Sequence, residues 1–217
     1  MALFDCQHCT TVLVDNFTPS STGIGGTLKF VDPFSGNYED VNYPDFESGE
    51  IAKWGNKFYI KCPHPSSGGD HIKKFTITNA DCQIGHSESG PSSILHSNIY
   101  TYTGHGMCAK DDDILIMGSV TIYDPVTSSS TGNWICEVDV SGATAIVTPL
   151  FQTPNHIVHG DIIYIPSNNT IVATMDIASG TTLAVHYDIA GNVLGQSTLN
   201  FAGSNPTSMF SYDVDIY

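Results

Sequence analysis

The feature that most constrains this chain is a degenerate internal repeat. His105-Gly106-Met107-Cys108 can be laid over His159-Gly160-Asp161-Ile162. Ile114-Leu115-Ile116-Met117 then falls on Thr170-Ile171-Val172-Ala173, and Val138-Asp139-Val140-Ser141-Gly142 on Tyr187-Asp188-Ile189-Ala190-Gly191. The pattern extends backwards, because Ala52-Lys53 precedes Lys57-Phe58-Tyr59-Ile60 as Ala109-Lys110 precedes Ile114-Leu115-Ile116. Copies start near Gly49, His105 and His159. A unit of about fifty residues built of short strands and turns is the signature of a β-propeller blade.

Helix signals are nearly absent. No window sustains apolar residues at three-and-four spacing, and 20 Gly and 11 Pro interrupt every stretch long enough to try. Strand-like runs recur instead, including Thr10 to Phe17, Gly26 to Val31, Phe58 to Cys62, Ile114 to Tyr123, Thr170 to Asp176 and Thr181 to Ile189. Turn clusters rich in Gly, Asn and Ser separate them, such as Thr127 to Gly132 and Ala190-Gly191-Asn192.

The last segment, Met209 to Tyr217, alternates apolar and polar residues as a half-buried strand does. Paired with the strands near 10–17, 26–31 and 37–43, it would complete an N-terminal blade and remove two exposed sheet edges. The expectation is therefore an all-β, single-domain β-propeller of four blades: 1–48 plus 209–217, 49–104, 105–155 and 156–208. A β-sandwich or a two-domain β protein is the alternative.

Composition narrows the partners. Charged residues make up 13% of the chain, about half the usual share, so Ser, Thr, Asn and Gly must carry the polar surface. The formal charge is −15, from 22 acidic and 7 basic residues. Such a surface repels phosphate backbones and anionic headgroups, so no nucleic-acid partner is expected. The start, Met1-Ala2-Leu3-Phe4-Asp5, has no basic and apolar export pattern, and no apolar run is long enough to span a bilayer. A chain without signal peptide or membrane insertion is the expectation. The cysteines are scattered, and Cys6-x-x-Cys9 lacks the second ligand pair of a structural zinc site. Mostly free thiols packed as small hydrophobes are expected. Asp111-Asp112-Asp113 reads as a solvated turn without the spaced oxygen ligands of a calcium loop.

Two segments carry a resemblance. His159-Gly160-Asp161-Ile162-Ile163-Tyr164-Ile165-Pro166 followed by Val185 to Leu194 resembles the repeat units of structural proteins from marine tailed bacteriophages, especially those of cyanobacteria. The opening, with Thr10-Thr11-Val12-Leu13-Val14 and Ile24-Gly25-Gly26-Thr27-Leu28-Lys29-Phe30, is similar to the first segment of such proteins. The resemblance implies a virion component at the tail or capsid surface, made in the host cytoplasm. Such segments often sit within larger proteins, and the expectation here is a departure from that pattern, a chain that stands alone.

Candidate chemistry is sparse. His105 and His159 occupy equivalent places in neighbouring repeats, where they would face a central channel and bind a metal or a small anion, with His156 and Asp161 as further ligands. The competing reading, which is favoured, has each imidazole bonded to nearby backbone and no metal bound. Gly-x-Ser-x-Gly does not occur, and Gly23-Ile24-Gly25-Gly26 opens a strand rather than a phosphate-cradling helix. Whether two carboxylates approach as a glycosidase pair is invisible in sequence. Trp54 and Trp134, with Tyr100, Tyr102, Tyr123 and Tyr187, are candidate sugar-stacking platforms, set against cross-strand packing. The leading reading is a non-enzymatic virion structural or decoration protein, without cofactor, that contacts other virion proteins or copies of itself. The alternative is an adhesin, a lectin-like module for host surface glycans.

Overall fold

The computed structural model describes residues 12–16, 26–31, 38–43, 51–63, 70–80, 83–88, 93–95, 100–102, 106–153, 157–177 and 181–199, and none of them is helical. The chain forms two compact units, Met1–Ser92 and Ser93–Tyr217. In the first unit, β1 (Val12–Asn16), β2 (Gly26–Val31) and β3 (Tyr38–Tyr43) pair antiparallel in chain order. A second antiparallel meander follows: β4 (Ile51–Trp54), β5 (Lys57–Pro63), β6 (Asp70–Ala80) and β7 (Gln83–Glu88).

The second unit opens on the two-residue strand β8 (Ser93–Ile94). Its first sheet holds β9 (Tyr100–Tyr102), β10 (Met107–Asp111), β11 (Ile114–Asp124), β12 (Ser129–Asp139) and β13 (Ile146–Gln152). Here β10 to β13 pair in order, while β9 pairs with the far end of β11. β9 lies on the N-terminal side of the expected 104/105 boundary, yet it belongs to this sheet. The last sheet runs β14 (Ile157–Ile165), β15 (Thr170–Ile177), β16 (Thr181–Asp188) and β17 (Val193–Leu199), again in order and antiparallel. The all-β expectation is met, and residues 209–217 lie outside the described residues.

Local chemistry sets the turns. Asp112 and Asp113 join β10 to β11, with Asp113 at φ 62° and the Asp112 N–H on Asp111 Oδ1 at 2.7 Å. The acidic run is a turn, as its composition suggested. In the β11–β12 hairpin the Asp124 carboxylate accepts from the Val126 N–H and the Thr127 hydroxyl, both at 2.8 Å. Asp139 and Asp188, which the repeat places in register, end β12 and β16 the same way. Asp139 Oδ1 accepts from Ser141 N–H at 2.8 Å and Asp188 Oδ1 from Ala190 N–H at 3.0 Å. A short side-chain oxygen that captures the second N–H onward closes a turn without help from the rest of the fold.

Burial shows how the sheets are used. In the second unit, one core joins Ile116, Ile135 and Phe151 of the β9–β13 sheet to Ile162, Ile171, Ala173, Met175, Val185 and Tyr187 of the β14–β17 sheet. The opposite side of the β9–β13 sheet is buried too. Leu115, Met117, Cys136 and Val138, which pair as Leu115↔Val138 and Met117↔Cys136, are inaccessible to solvent. β15 repeats this, with Ile171, Ala173 and Met175 on the shared core and Thr170 and Thr174 buried on the other side. In the first unit Phe58 and Ile60 alternate with Tyr59 on β5, and all three are buried. Side chains alternate across a strand, so consecutive buried residues mean that both faces are covered.

Candidate functional site

Three of the six aromatic candidates converge on one sheet face. Val120 of β11 lies opposite Tyr102 of β9 and opposite Trp134 of β12, and Trp134 lies opposite Gln152 of β13. The next row is Tyr100, Ile122 and Thr131. Directly paired residues share a face, so Tyr100, Tyr102, Thr131, Trp134 and Gln152 stand on the same side. Two strand spacings, about 10 Å, separate Tyr102 from Trp134 in that row. It is the side opposite the core shared with the β14–β17 sheet, because Phe151 and Ile135 belong to that core and their chain neighbours point away.

Two bulges build this face. Register slips between Met117 and Val120, where Ser119 takes φ 53°, and again where Gly132 and Asn133 oppose the step from Val120 to Ile122. Asn133 has φ 62°, and its carbonyl accepts the Thr153 N–H and hydroxyl, each at 2.8 Å. The Gln152 side-chain amide donates to the Gly132 carbonyl at 2.9 Å. The Trp134 indole N–H donates to Thr131 Oγ1 at 3.1 Å. The last of these bonds orients the indole within the row, between Val120 and Gln152. Val120 beneath is fully buried while Tyr100, Tyr102 and Trp134 are half-buried and Thr131 and Gln152 exposed. The face thus grades from packed interior to a polar rim.

The remaining candidates are dispersed. Trp54 is half-buried at the tip of the β4–β5 hairpin, opposite Lys57, in the first unit. Tyr123 is exposed at the end of β11. Tyr187 is core: its ring tilts against Phe151 at 5.1 Å, its hydroxyl donates to Met175 Sδ at 3.4 Å, and burial raises its pKa. His105 and His156 lie outside the described residues. His159 falls in β14 between Val158 and Ile162, where the pairing with β15 slips. Among the described residues no group of three or more His, Cys, Asp or Glu is placed to hold a metal ion. Cys108 and Cys136 form no disulfide, and burial pushes the Cys136 thiol up to about 12.

Several polar contacts were not anticipated from sequence. Lys110 of β10 forms an ion pair with Glu137 of β12, and its ammonium lies 5.9 Å from the Tyr164 ring centroid on the neighbouring sheet. Thr170 donates its hydroxyl proton to Asn168 Oδ1 at 2.6 Å and contacts His186 Nε2 at 2.8 Å. A hydroxyl has one proton to give, so His186 Nε2 is the donor in that second bond. The Lys110–Glu137, Lys110–Tyr164 and Thr170–His186 partners are strands apart in sequence, so no local pattern announces them.

No protein-family model matches the chain, and no curated protein matches it. Among solved structures, TolB from Acinetobacter baumannii is similar at 11% identity over 84% of this chain and 50% of that one, with a TM-score of 0.40. A variant of Synechocystis apocarotenoid oxygenase is similar at 12% identity over 85% of this chain and 43% of that one, with a TM-score of 0.38. The chain spans half or less of the length of either neighbour.

Proposed function

We propose that this chain is a non-enzymatic assembly module, a four-bladed β-propeller that serves a virion as a structural or decoration protein through protein contacts. The observation that carries the architecture is burial on both faces of β5, β11 and β15. A two-sheet sandwich leaves each sheet one solvated face, whereas blades stacked around an axis are covered on both. Four antiparallel meanders in chain order supply the blades, and the β1–β3 sheet has three described strands where the others have four or more. Residues 209–217 would supply its fourth strand beside β1. Deleting 210–217 should then expose two sheet edges and give insoluble or oligomeric protein, because open edges template aggregation. A soluble, monomeric truncated chain would overturn the closure.

The assembly role draws on the phage-like segments and on apolar side chains left in solvent. Val126, Ile146, Val193 and Leu194 are 90%, 65%, 56% and 54% exposed. Quantitative mass spectrometry of particles purified from the source tests it. A fixed copy number per particle is expected, and recovery only as free protein refutes the role.

A second reading rests on the convergence of Tyr100, Tyr102 and Trp134 beside Thr131 and Gln152. Neutral sugars offer flat C–H faces to rings and hydroxyls to amides, which this rim could serve as a glycan-binding adhesin. A glycan array compares the natural chain with Trp134→Ala. Binding lost in the variant supports the reading, and no binding by the natural chain removes it.

A further inference from the structure

We infer that the face bearing Tyr102 and Trp134 takes two linked, uncharged pyranose rings of a glycan chain, one on the Trp134 indole and the next against Tyr102. The inference rests on the adhesin reading and names its ligand class. Two exposed polar side chains border the indole, Thr131 on its own strand and Gln152 directly opposite on β13. Each has one bond set by the fold and one capacity left over. Thr131 Oγ1 accepts the indole N–H at 3.1 Å and keeps its own proton to give. The Gln152 amide nitrogen donates to the Gly132 carbonyl at 2.9 Å, which leaves the side-chain oxygen to accept. A donor and an acceptor thus flank one ring. Both are already held in place, so little ordering is lost when a ligand arrives.

That pair selects the ligand. The indole N–H is spent within the fold, so Trp134 offers a ring face and not a donor for a peptide carbonyl. A pyranose stacks its C–H face on an aromatic ring and carries hydroxyls around its rim, each able both to give and to accept. One hydroxyl meets the Thr131 proton and another the Gln152 oxygen. Neither the Tyr102, Val120, Trp134 and Gln152 row nor the Tyr100, Ile122 and Thr131 row holds a charged side chain. The net charge of −15 repels carboxylated or sulfated sugars. A second ring follows from the register. Val120 between Tyr102 and Trp134 is inaccessible to solvent, so it forms a floor and not a wall. Across that floor the two aromatic residues stand about 10 Å apart, a separation that two linked pyranoses span and one does not.

Isothermal calorimetry of the full chain tests this with methyl glycosides of glucose, mannose and galactose and with the unbranched disaccharides of the same sugars. In at least one series the disaccharide should bind about tenfold or more tighter than its methyl glycoside. Its affinity should not change between low and high salt, since no contact is ionic. Tyr102→Ala should bring the disaccharide down to the affinity of the methyl glycoside, whereas a misfolded variant would bind neither. Gln152→Leu, at an exposed position, should weaken both sugars about fivefold. Equal affinity for one ring and two in the natural chain overturns the proposal. So does binding that salt abolishes, or a preference for the disaccharide that Tyr102→Ala leaves intact. Capture of only acidic or branched glycans on the array would keep the adhesin reading and remove the two-ring neutral site, and capture of no glycan removes both.

Discussion

Gly191→Ala should be among the most damaging single-methyl additions in the second unit. Gly191 sits in the turn between β16 and β17 at φ +90°, a region L side chains rarely adopt. A Cβ there would stand 2.6 Å from Phe151 Cβ and Cγ and 3.0 Å from Cδ2. Phe151 cannot retreat, because it is core and its ring lies against Tyr187. The turn is held as well: Gly191 N–H donates to the Asp188 carbonyl at 3.0 Å, and Asp188 N–H to the Asn192 carbonyl at 3.0 Å. Backbone strain of about 1–3 kcal/mol and overpacking of a similar size give roughly 2–4 kcal/mol once the turn rocks to relieve part of the overlap.

Two glycines separate the contributions. Gly55 has φ +57° with nothing near its Cβ direction, so Gly55→Ala should cost only the conformational part, about 1–2 kcal/mol. Gly195 is in open space without positive φ, so Gly195→Ala should be neutral or stabilising by about 0.5–1 kcal/mol. Urea unfolding followed by fluorescence is the assay. In a Trp54→Phe background the sole indole is Trp134, in the same unit as Gly191. A Gly191→Ala midpoint equal to or above that of Gly195→Ala would refute the close-approach argument.

Other outcomes follow from titrating groups and hairpins. Cys136, held up to about 12 by burial, should resist thiol reagents at mildly alkaline pH in the native protein and react on unfolding, as mass spectrometry of alkylated peptides would show. The Asn192 side chain, then the Asn192 N–H, holds the Asp188 carboxyl below its usual 3.8. A lowered folded pKa means that the stabilisation is complete above the unfolded value and lost as pH falls through the folded one. Urea midpoints should therefore drop on acidification below 3.8, and Asn192→Ala should shrink that acid-dependent part. Thr127→Val removes the main bond that lowers Asp124, so NMR titration should find the Asp124 pKa moved back toward 3.8.

The strands with strong alternation were legible because their signal is local. β2 spans the residues expected of it, and β15 and β16 begin where expected. The short first strands β4 and β9 were missed, since three or four residues carry no period to read. Thr127 to Gly132 was read as one turn, whereas the turn occupies 125–128 and Ser129, Ser130 and Thr131 pair with Asp124, Tyr123 and Ile122. Ser, Gly and Asn mark both turns and bulges, and only pairing with β11 and β13 decides between them. The aromatic face was half legible: the residue types were identified, but Trp54 stands in the other unit from Tyr100, Tyr102 and Trp134.

By itself the sequence determined that this chain makes antiparallel hairpins in repeated order, because alternation and side-chain turn closure act within a few residues. Only tertiary structure decided that β11 and β15 are buried on both faces, since a run of apolar residues reads alike whether one neighbour or two will cover it. It also decided that Val120 would bring Tyr102 and Trp134 into one row. That row depends on two bulges and on β9 pairing with β11 past the intervening β10, and such a register is set by mutual packing, which no local pattern encodes.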